Sequence, residues 1–130
     1  MGQQQLLLII LGVIIVGVAI AVGISMFSGQ SIASNRDAII TDLSTLGADA
    51  YQFKIRPTTM GGGNGTFAGY ALSTTGAWGT SNPNATYTVT TQTASQLVLT
   101  ATSKQVSGAT VTVTYDGNGK VTSGPTASGF

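Results

Sequence analysis

Residues 6–27 read LLLIILGVIIVGVAIAVGISMF, an apolar run of 22 positions without one charged side chain. Three glycines and one serine interrupt the run: Gly12, Gly17, Gly23 and Ser25. As a helix the run would span roughly 33 Å, because an α-helix rises about 1.5 Å per residue. That length is enough to cross the hydrocarbon core of a bilayer. The run therefore predicts a membrane-crossing helix.

We assign residues 1–28 to this apolar helix. A cleaved secretory signal is the alternative interpretation, but such a signal has a shorter apolar region, a preceding Lys or Arg and a following small-residue cleavage site. The chain matches none of these features well. Proline is absent from residues 1–56, so nothing in the sequence demands a kink. We predict a mostly continuous helix.

A one-sided helical pattern follows, and we assign it to residues 29–56. Its apolar side chains recur at intervals of four, three, four and three residues, which indicates one face of a helix. The stripe consists of Ile39, Leu43, Leu46, Ala50 and Phe53, with Ile32 two turns earlier. A polar face lies between its members: Asp37, Thr41, Asp42, Thr45, Asp49 and Gln52.

The stretch KIRPTTMGGGNG at residues 54–65 predicts the end of this helix. Pro57 disfavours the helical conformation at Arg56, and the glycines that follow oppose continuation. Inside the helix, Gly29 and Gly47 each cost about 1 kcal/mol relative to alanine, so we expect local weak points there. The apolar half requires lipid or other helices around it, whereas the one-sided half requires only a small domain on one side.

The C-terminal part predicts a small sheet. Residues 57–85 are a glycine-rich loop region, in which four side chains are the expected inward anchors: Phe67, Tyr70, Leu72 and Trp78. From residue 86 the apolar period becomes two, in TYTVTTQT, QLVLTAT and ATVTVTY, and a short fourth strand is expected around Val121. We therefore predict an α+β fold: a helix over about residues 3–55, with an antiparallel meander of three to four strands at 86–130 packed on its second half.

Composition excludes most catalytic chemistry. The chain contains no His, Cys or Glu, so it lacks the residues of Ser/His/Asp and Cys/His systems and the preferred ligands of zinc. Its net charge is only +1, and no cluster of Lys or Arg predicts nucleic-acid binding. We expect no enzyme activity, no cofactor and no metal. The abundance of threonine, glycine and serine indicates an exposed β-rich surface with many turns.

Two local motifs remain. The stretch DGNGK, which begins at Asp116, resembles the start of a calcium loop but lacks the acidic residue at position twelve, so we interpret it as a hairpin turn. Two Asn-x-Thr sequons begin at Asn64 and Asn84 in predicted loops. Both asparagines are candidate glycosylation sites.

An uncharged apolar helix of about twenty residues, continued by an amphipathic helix and a small antiparallel sheet, resembles the type IV pilin superfamily. More narrowly, GQQQLLLIILGVIIVGVAIAVGI, NRDAI and RPTTMGGGNGTF resemble a group of short bacterial pilin-like proteins. The resemblance implies a major pilin held in the inner membrane and then bundled into a filament with its sheet outside. It also implies a separate platform protein and ATPase as assembly partners, and adhesion or motility as the role.

The resemblance also implies which residues form contacts between subunits. The superfamily commonly has a glutamate at the fifth mature position, which pairs with a neighbour's amino terminus. That position is Gln5 when counted from Met1, or Leu7 if cleavage follows Gly2. We predict a subunit-subunit core made of Gln3, Gln4, Gln5, Leu6, Leu7, Ile10, Ile14, Val18 and Phe27.

Two other interpretations remain open. The first is a pseudopilin of a type II secretion or DNA-uptake machine, which low abundance and short or absent filaments would distinguish. The second is a single-pass membrane protein that displays a small binding domain. That interpretation accounts for residues 6–27 but gives no reason for the helix to continue beyond the membrane as a long stripe.

Overall fold

A computed structural model describes residues 2–72 and 80–130 of the chain. Its elements are helix α1 (Gln3–Ile55), a 3₁₀ helix (Thr58–Met60) and strands β1 (Ala85–Gln92), β2 (Gln96–Ser103), β3 (Thr110–Asp116) and β4 (Val121–Ser128). The chain divides into two compact units, Met1–Ile32 and Ala33–Phe130. This order of elements confirms the predicted α+β fold.

The first unit contains the apolar part of α1. The helix has no break between Gln3 and Ile55, which confirms the predicted continuity. A methyl group added at Gly12, Gly17 or Gly23 would meet nothing within 4 Å, so these glycines do not create close contacts within the chain. They are tolerated because every backbone group of a helix interior is already hydrogen-bonded.

The second unit is built around the one-sided part of α1. The five stripe residues are at most 8 % exposed, while Ile32, before this unit, is half-buried. Burial of this stripe confirms the helical period predicted from residues 39–53. The buried stripe side chains are Ile39, Leu43, Leu46, Ala50 and Phe53.

The four strands form one antiparallel sheet in the order β1-β2-β3-β4. Alternate side chains face the helix and are buried, as the period of two predicts: Tyr87, Leu97, Leu99, Ala101, Val111, Val113 and Tyr115. Threonines occupy the other face in register, with Thr100 opposite both Thr88 and Thr112. Helix and sheet thus enclose a single core in this unit.

Two strand boundaries differ from the prediction. β1 begins one residue earlier, at Ala85, and β4 runs from Val121 to Ser128 rather than forming a short strand. Every side chain of β4 is exposed, so the strand carries no apolar alternation that would reveal it in the sequence. Pro125 is compatible with β4 because this strand lies at the edge of the sheet, where one row of N–H groups needs no partner.

Backbone hydrogen bonds from the glycine-rich segment after Pro57 complete the end of α1. The N–H groups of Gly63 and Gly65 donate to the carbonyls of Phe53 and Lys54 at 2.8 and 2.6 Å, so two carbonyls of the last helical turn are satisfied. In the loop that follows, the predicted anchors Phe67, Tyr70 and Leu72 are buried. The fourth predicted anchor, Trp78, lies outside the described residues.

Gly47 is needed for the packing of β3 on α1, although glycine has a low helix propensity. It is buried, and a Cβ atom at this position would lie 2.2 Å from Cζ of Tyr115. The Tyr115 hydroxyl donates to the carbonyl of Leu43 at 2.9 Å, which fixes the ring against the helix. The absence of a side chain at Gly47 therefore allows β3 to approach α1 closely.

Candidate functional site

The N-terminal surface of α1 is the candidate site of assembly. Sixteen large apolar side chains between residues 6 and 27 are each 52–76 % exposed. The helix is long and apolar enough to cross a membrane, and none of its most apolar window is buried within the chain. Exposing such a surface to water is unfavourable, because burying one large apolar side chain fully is favoured by about 1.5–3 kcal/mol over leaving it exposed. It is compatible with membrane insertion.

The predicted subunit-subunit core residues are all exposed on this surface. With about 3.6 residues per turn, six of them fall within about 120° around the helix axis: Gln3, Leu6, Leu7, Ile10, Ile14 and Val18. The other three, Gln4, Gln5 and Phe27, lie outside that arc. Helix geometry thus places most of the predicted core residues on one side, but the apolar surface covers every side.

The three glutamines occupy the first turn of α1. This turn contains no acidic side chain, and the N–H of Gln5 donates to the carbonyl of Gly2 at 3.1 Å. Gln4 lines a shallow groove with Leu7, Leu8 and Leu11, so its amide borders an apolar surface. The amides can thus act as hydrogen-bond partners at the edge of the apolar helix.

A polar cluster around Asp42 joins α1 to the chain segment before β1. Asp42 Oδ2 accepts hydrogen bonds from the Tyr87 hydroxyl at 2.5 Å, from Asn82 Nδ2 at 2.8 Å and from Asn84 Nδ2 at 3.2 Å. Nearby, Asn35 Nδ2 donates to the carbonyl of Asn84 at 3.3 Å. The cluster holds the turn at residues 81–84 against the helix.

Asp42 and Asp49 lie on the predicted polar face of α1, and parts of the same unit pack against both residues. Both residues are half-buried, and Asp49 accepts a hydrogen bond from the Tyr70 hydroxyl at 3.1 Å. The sequence gives no sign of the contact between this turn and the helix, because the two are about forty residues apart along the chain, as Asn82 and Asp42 show. No local pattern signals a pairing over that distance.

Burial, and then the hydrogen bond to the Asp42 carboxylate, raise the pKa of the Tyr87 phenol well above its ordinary value of 10.0. A raised folded-state pKa means that Tyr87 stabilises the fold fully below about pH 10 and less as the pH rises toward the folded-state value. Replacing Tyr87 by Phe is expected to lower the free energy of unfolding by about 2 kcal/mol at neutral pH, since a hydrogen bond to a charged group is lost. Chemical denaturation followed by circular dichroism measures this difference.

The pH series tests the cause of that difference. Between neutral pH and about pH 12, the advantage of the unsubstituted chain over the Tyr87→Phe variant is expected to shrink, because only the chain with tyrosine can ionise at this position. Tyr115 serves as a common background, since burial raises its pKa in both proteins. If the difference in the free energy of unfolding between the two proteins stayed constant across the series, burial would not raise the pKa of Tyr87 as described.

The DGNGK stretch forms the predicted hairpin turn between β3 and β4. Asp116 Oδ1 accepts hydrogen bonds from the backbone N–H groups of Asn118 and Lys120, each at 2.9 Å. The bond from Lys120 is the main cause that lowers the pKa of the Asp116 carboxyl. Within residues 2–72 and 80–130, no group of three or more His, Cys, Asp or Glu residues is arranged to hold a metal.

The two sequons lie in different surroundings. Asn64 is exposed in the turn that follows α1, whereas Asn84 is half-buried and takes part in the Asp42 cluster.

Comparison with known proteins gives no further assignment, since no family model, curated protein or solved structure matches the chain significantly. The architecture itself, a long helix with an apolar N-terminal part followed by a small antiparallel sheet, is like that of type IV pilins.

Proposed function

We propose that this chain is the major structural subunit of a type IV pilus-like filament. In this proposal, residues 6–27 anchor the chain in the inner membrane before assembly and form the filament core afterwards. The sheet is displayed on the outside for adhesion or motility. The observation that carries the proposal is helix α1, Gln3–Ile55, which is apolar on all sides at its start and is then covered on one side by the sheet of its own chain.

The exposed apolar surface supports polymerisation for a thermodynamic reason. Lipid covers this surface in the membrane, and identical helices can cover it equally well in a bundle. The cost of leaving it in water, about 1.5–3 kcal/mol for each large side chain, makes either environment strongly favoured over solvent. Transfer from lipid to neighbouring copies is therefore possible without exposing the surface to water.

The length of α1 supports a subunit rather than a simple anchor. A membrane anchor needs only about 20 residues, whereas α1 comprises 53. The residues beyond the apolar run supply the stripe on which the sheet packs, from Ile39 to Phe53. One helix thus serves both the assembly surface and the core of the displayed domain.

The chain binds copies of itself, and it is extracted from the membrane by a platform protein with a separate ATPase. Gln3, Gln4 and Gln5 enter the filament core and pair with the amino terminus or backbone of adjacent subunits. Gln5 then acts as a neutral substitute for the superfamily's glutamate when positions are counted from Met1.

Surface filaments sheared from cells that produce the chain test the proposal. Mass spectrometry of the purified filaments is expected to identify this chain as the most abundant protein, and deletion of its gene is expected to remove them. Recovery only in the detergent-soluble membrane fraction would contradict the proposal and favour a single-pass display protein. Low abundance with short or absent filaments would also contradict it and favour a pseudopilin.

A further inference from the structure

Two sequons in this chain present the same chemistry in different structural settings. Each has an asparagine whose amide nitrogen can be glycosylated and a threonine two residues later: Asn64 with Thr66, and Asn84 with Thr86. The reaction requires an amide nitrogen that is free to leave its surroundings and enter a transferase. The structure therefore distinguishes the sequons by what each amide contacts.

Asn64 lies in an open part of the surface. Its side chain is exposed and makes no hydrogen bond to the residues that the structure describes. Its backbone has a φ of 50°, a left-handed conformation that asparagine tolerates better than most residues. A methyl group added at Gly65, directly after Asn64, would meet nothing within 4 Å, whereas one at Gly63 would lie 2.0 Å from the carbonyl oxygen of Thr66, so the turn is open on its Gly65 side.

The backbone at Asn64 is nevertheless well fixed. The N–H of Asn64 donates to the carbonyl of Arg56 at 3.0 Å, and the N–H of Gly65 donates to that of Lys54 at 2.6 Å. These bonds complete the C-terminal end of α1 and involve no side-chain atom of Asn64. A sugar on this side chain would leave both bonds, and the core of the unit, unchanged.

The side chain and the backbone of Asn84 both form hydrogen bonds within the fold. Its Nδ2 donates to Asp42 Oδ2 at 3.2 Å, its N–H donates to Asn82 Oδ1 at 2.9 Å and its carbonyl accepts from Asn35 Nδ2 at 3.3 Å. A sugar on Nδ2 would have to fit beside a half-buried carboxylate that already accepts hydrogen bonds from Tyr87 and Asn82. This amide is released only when the turn opens from the helix.

We propose that Asn64 is the acceptor of an N-linked sugar and that Asn84 is not. In the transfer, Asn64 Nδ2 forms a bond to the anomeric carbon of a sugar carried on a diphosphate. The bond from that carbon to the diphosphate breaks, the diphosphate leaves with the electron pair, and the amide proton passes to a base of the transferase. This assignment stands independently of filament assembly, because it depends only on the Ala33–Phe130 unit.

The chain produced from its own gene in its own cells provides the test. Trypsin leaves both sequons in one peptide, because the only tryptic sites near them lie at Lys54 and Lys104, and Pro57 protects Arg56. Chymotrypsin separates the sequons by cutting after residues such as Phe67 and Tyr70. Mass spectrometry of the chymotryptic peptides is expected to find sugar on the peptide with Asn64 and none on the peptide with Asn84.

The mass of the sugar distinguishes the two sources of a diphosphate-linked donor. A single hexose indicates direct transfer from a nucleotide sugar, whereas an intact oligosaccharide indicates transfer from a polyprenyl diphosphate carrier. Both results support the proposal. An unmodified Asn64, or sugar on Asn84 of the folded chain, would overturn it.

Variants separate the role of the sequon from any effect on folding. Asn64→Gln and Thr66→Val are expected to abolish the modification, while Thr66→Ser retains the hydroxyl and is expected to keep it. Thr66→Ser is expected to unfold at the same denaturant concentration as the unglycosylated parent chain, because it keeps the hydroxyl that accepts from the Ala68 N–H at 3.1 Å. Asn64→Gln and Thr66→Val are expected to unfold at slightly lower concentrations, since glutamine tolerates the left-handed backbone less well and valine loses that hydrogen bond. Loss of sugar in Thr66→Ser, or its persistence in Asn64→Gln, would contradict the assignment of Asn64.

Discussion

Replacement of Gly47 by alanine is expected to lower the free energy of unfolding of the Ala33–Phe130 unit by about 1–3 kcal/mol, because the new methyl group collides with a buried aromatic ring. The added Cβ would lie 2.2 Å from Cζ and 2.4 Å from the hydroxyl oxygen of Tyr115. Helix propensity acts in the opposite direction, since alanine is favoured over glycine by about 1 kcal/mol in a helix. The sign of the measured change therefore decides which effect dominates.

Denaturation of the full chain in detergent micelles, followed by circular dichroism, measures this change. Gly29→Ala is the matched control, because a methyl group at Gly29 meets nothing within 4 Å and is expected to leave this unit's stability unchanged. In a second background, Tyr115→Leu removes the ring, and the same substitution at Gly47 is expected to cost far less. A stabilised Gly47→Ala variant would show that β3 does not approach α1 as closely as described.

Simultaneous replacement of Gln3, Gln4 and Gln5 by leucine is expected to reduce filament yield more than about tenfold while leaving membrane insertion intact. Each amide left unpaired in a filament core would cost about 1–3 kcal/mol, so these side chains must pair with neighbouring subunits if they enter it. Leucine cannot form those bonds, but it increases the affinity of the segment for lipid. The ratio of sheared filaments to membrane-bound chain measures the effect.

Two variants sharpen this prediction. Gln30→Leu removes an exposed amide outside the first turn and is expected to leave the yield unchanged. Gln5→Glu introduces the superfamily's residue at the fifth position counted from Met1 and is expected to keep assembly, if that count is correct. The N-terminal residue of the mature chain, determined by mass spectrometry, fixes the count. Normal yield from the triple leucine variant would mean that the glutamines only cap the helix.

The helix and the sheet were predictable because their signals are local. The intervals between Ile39 and Phe53 define a helical face within 15 residues, and the alternation in QLVLTAT and ATVTVTY defines two strands. Pro57 and the glycines after it predict the helix end within the same short range. Each of these patterns depends on neighbours in the chain, so no tertiary information is needed.

The remaining features depend on contacts between distant residues or on the absence of apolar side chains. Asp42 and Tyr87 are 45 positions apart, and Gly47 and Tyr115 are further apart still. In the sequence, Gly47 indicates only a lower helix propensity, and its packing role becomes visible once the ring of Tyr115 is placed over it. The sequence predicted β4 only as a short strand around Val121, because its eight residues bury no side chain and so give no alternation that would show its full length.

The choice between the two sequons was also beyond sequence reasoning. Asn64 and Asn84 have the same motif and both follow turn-forming residues. Only the hydrogen bond from Asn84 Nδ2 to Asp42, across 42 positions, shows that one amide is part of the fold and the other is not.

A cryo-electron microscopy reconstruction of the sheared filaments would show directly which residues form the filament core. We expect a core of closely packed helices in which residues 6–27 of each copy contact the same residues of neighbouring copies, with the four-stranded sheets on the outside. Filaments built from a different protein, or a core that does not contain residues 6–27, would contradict this expectation.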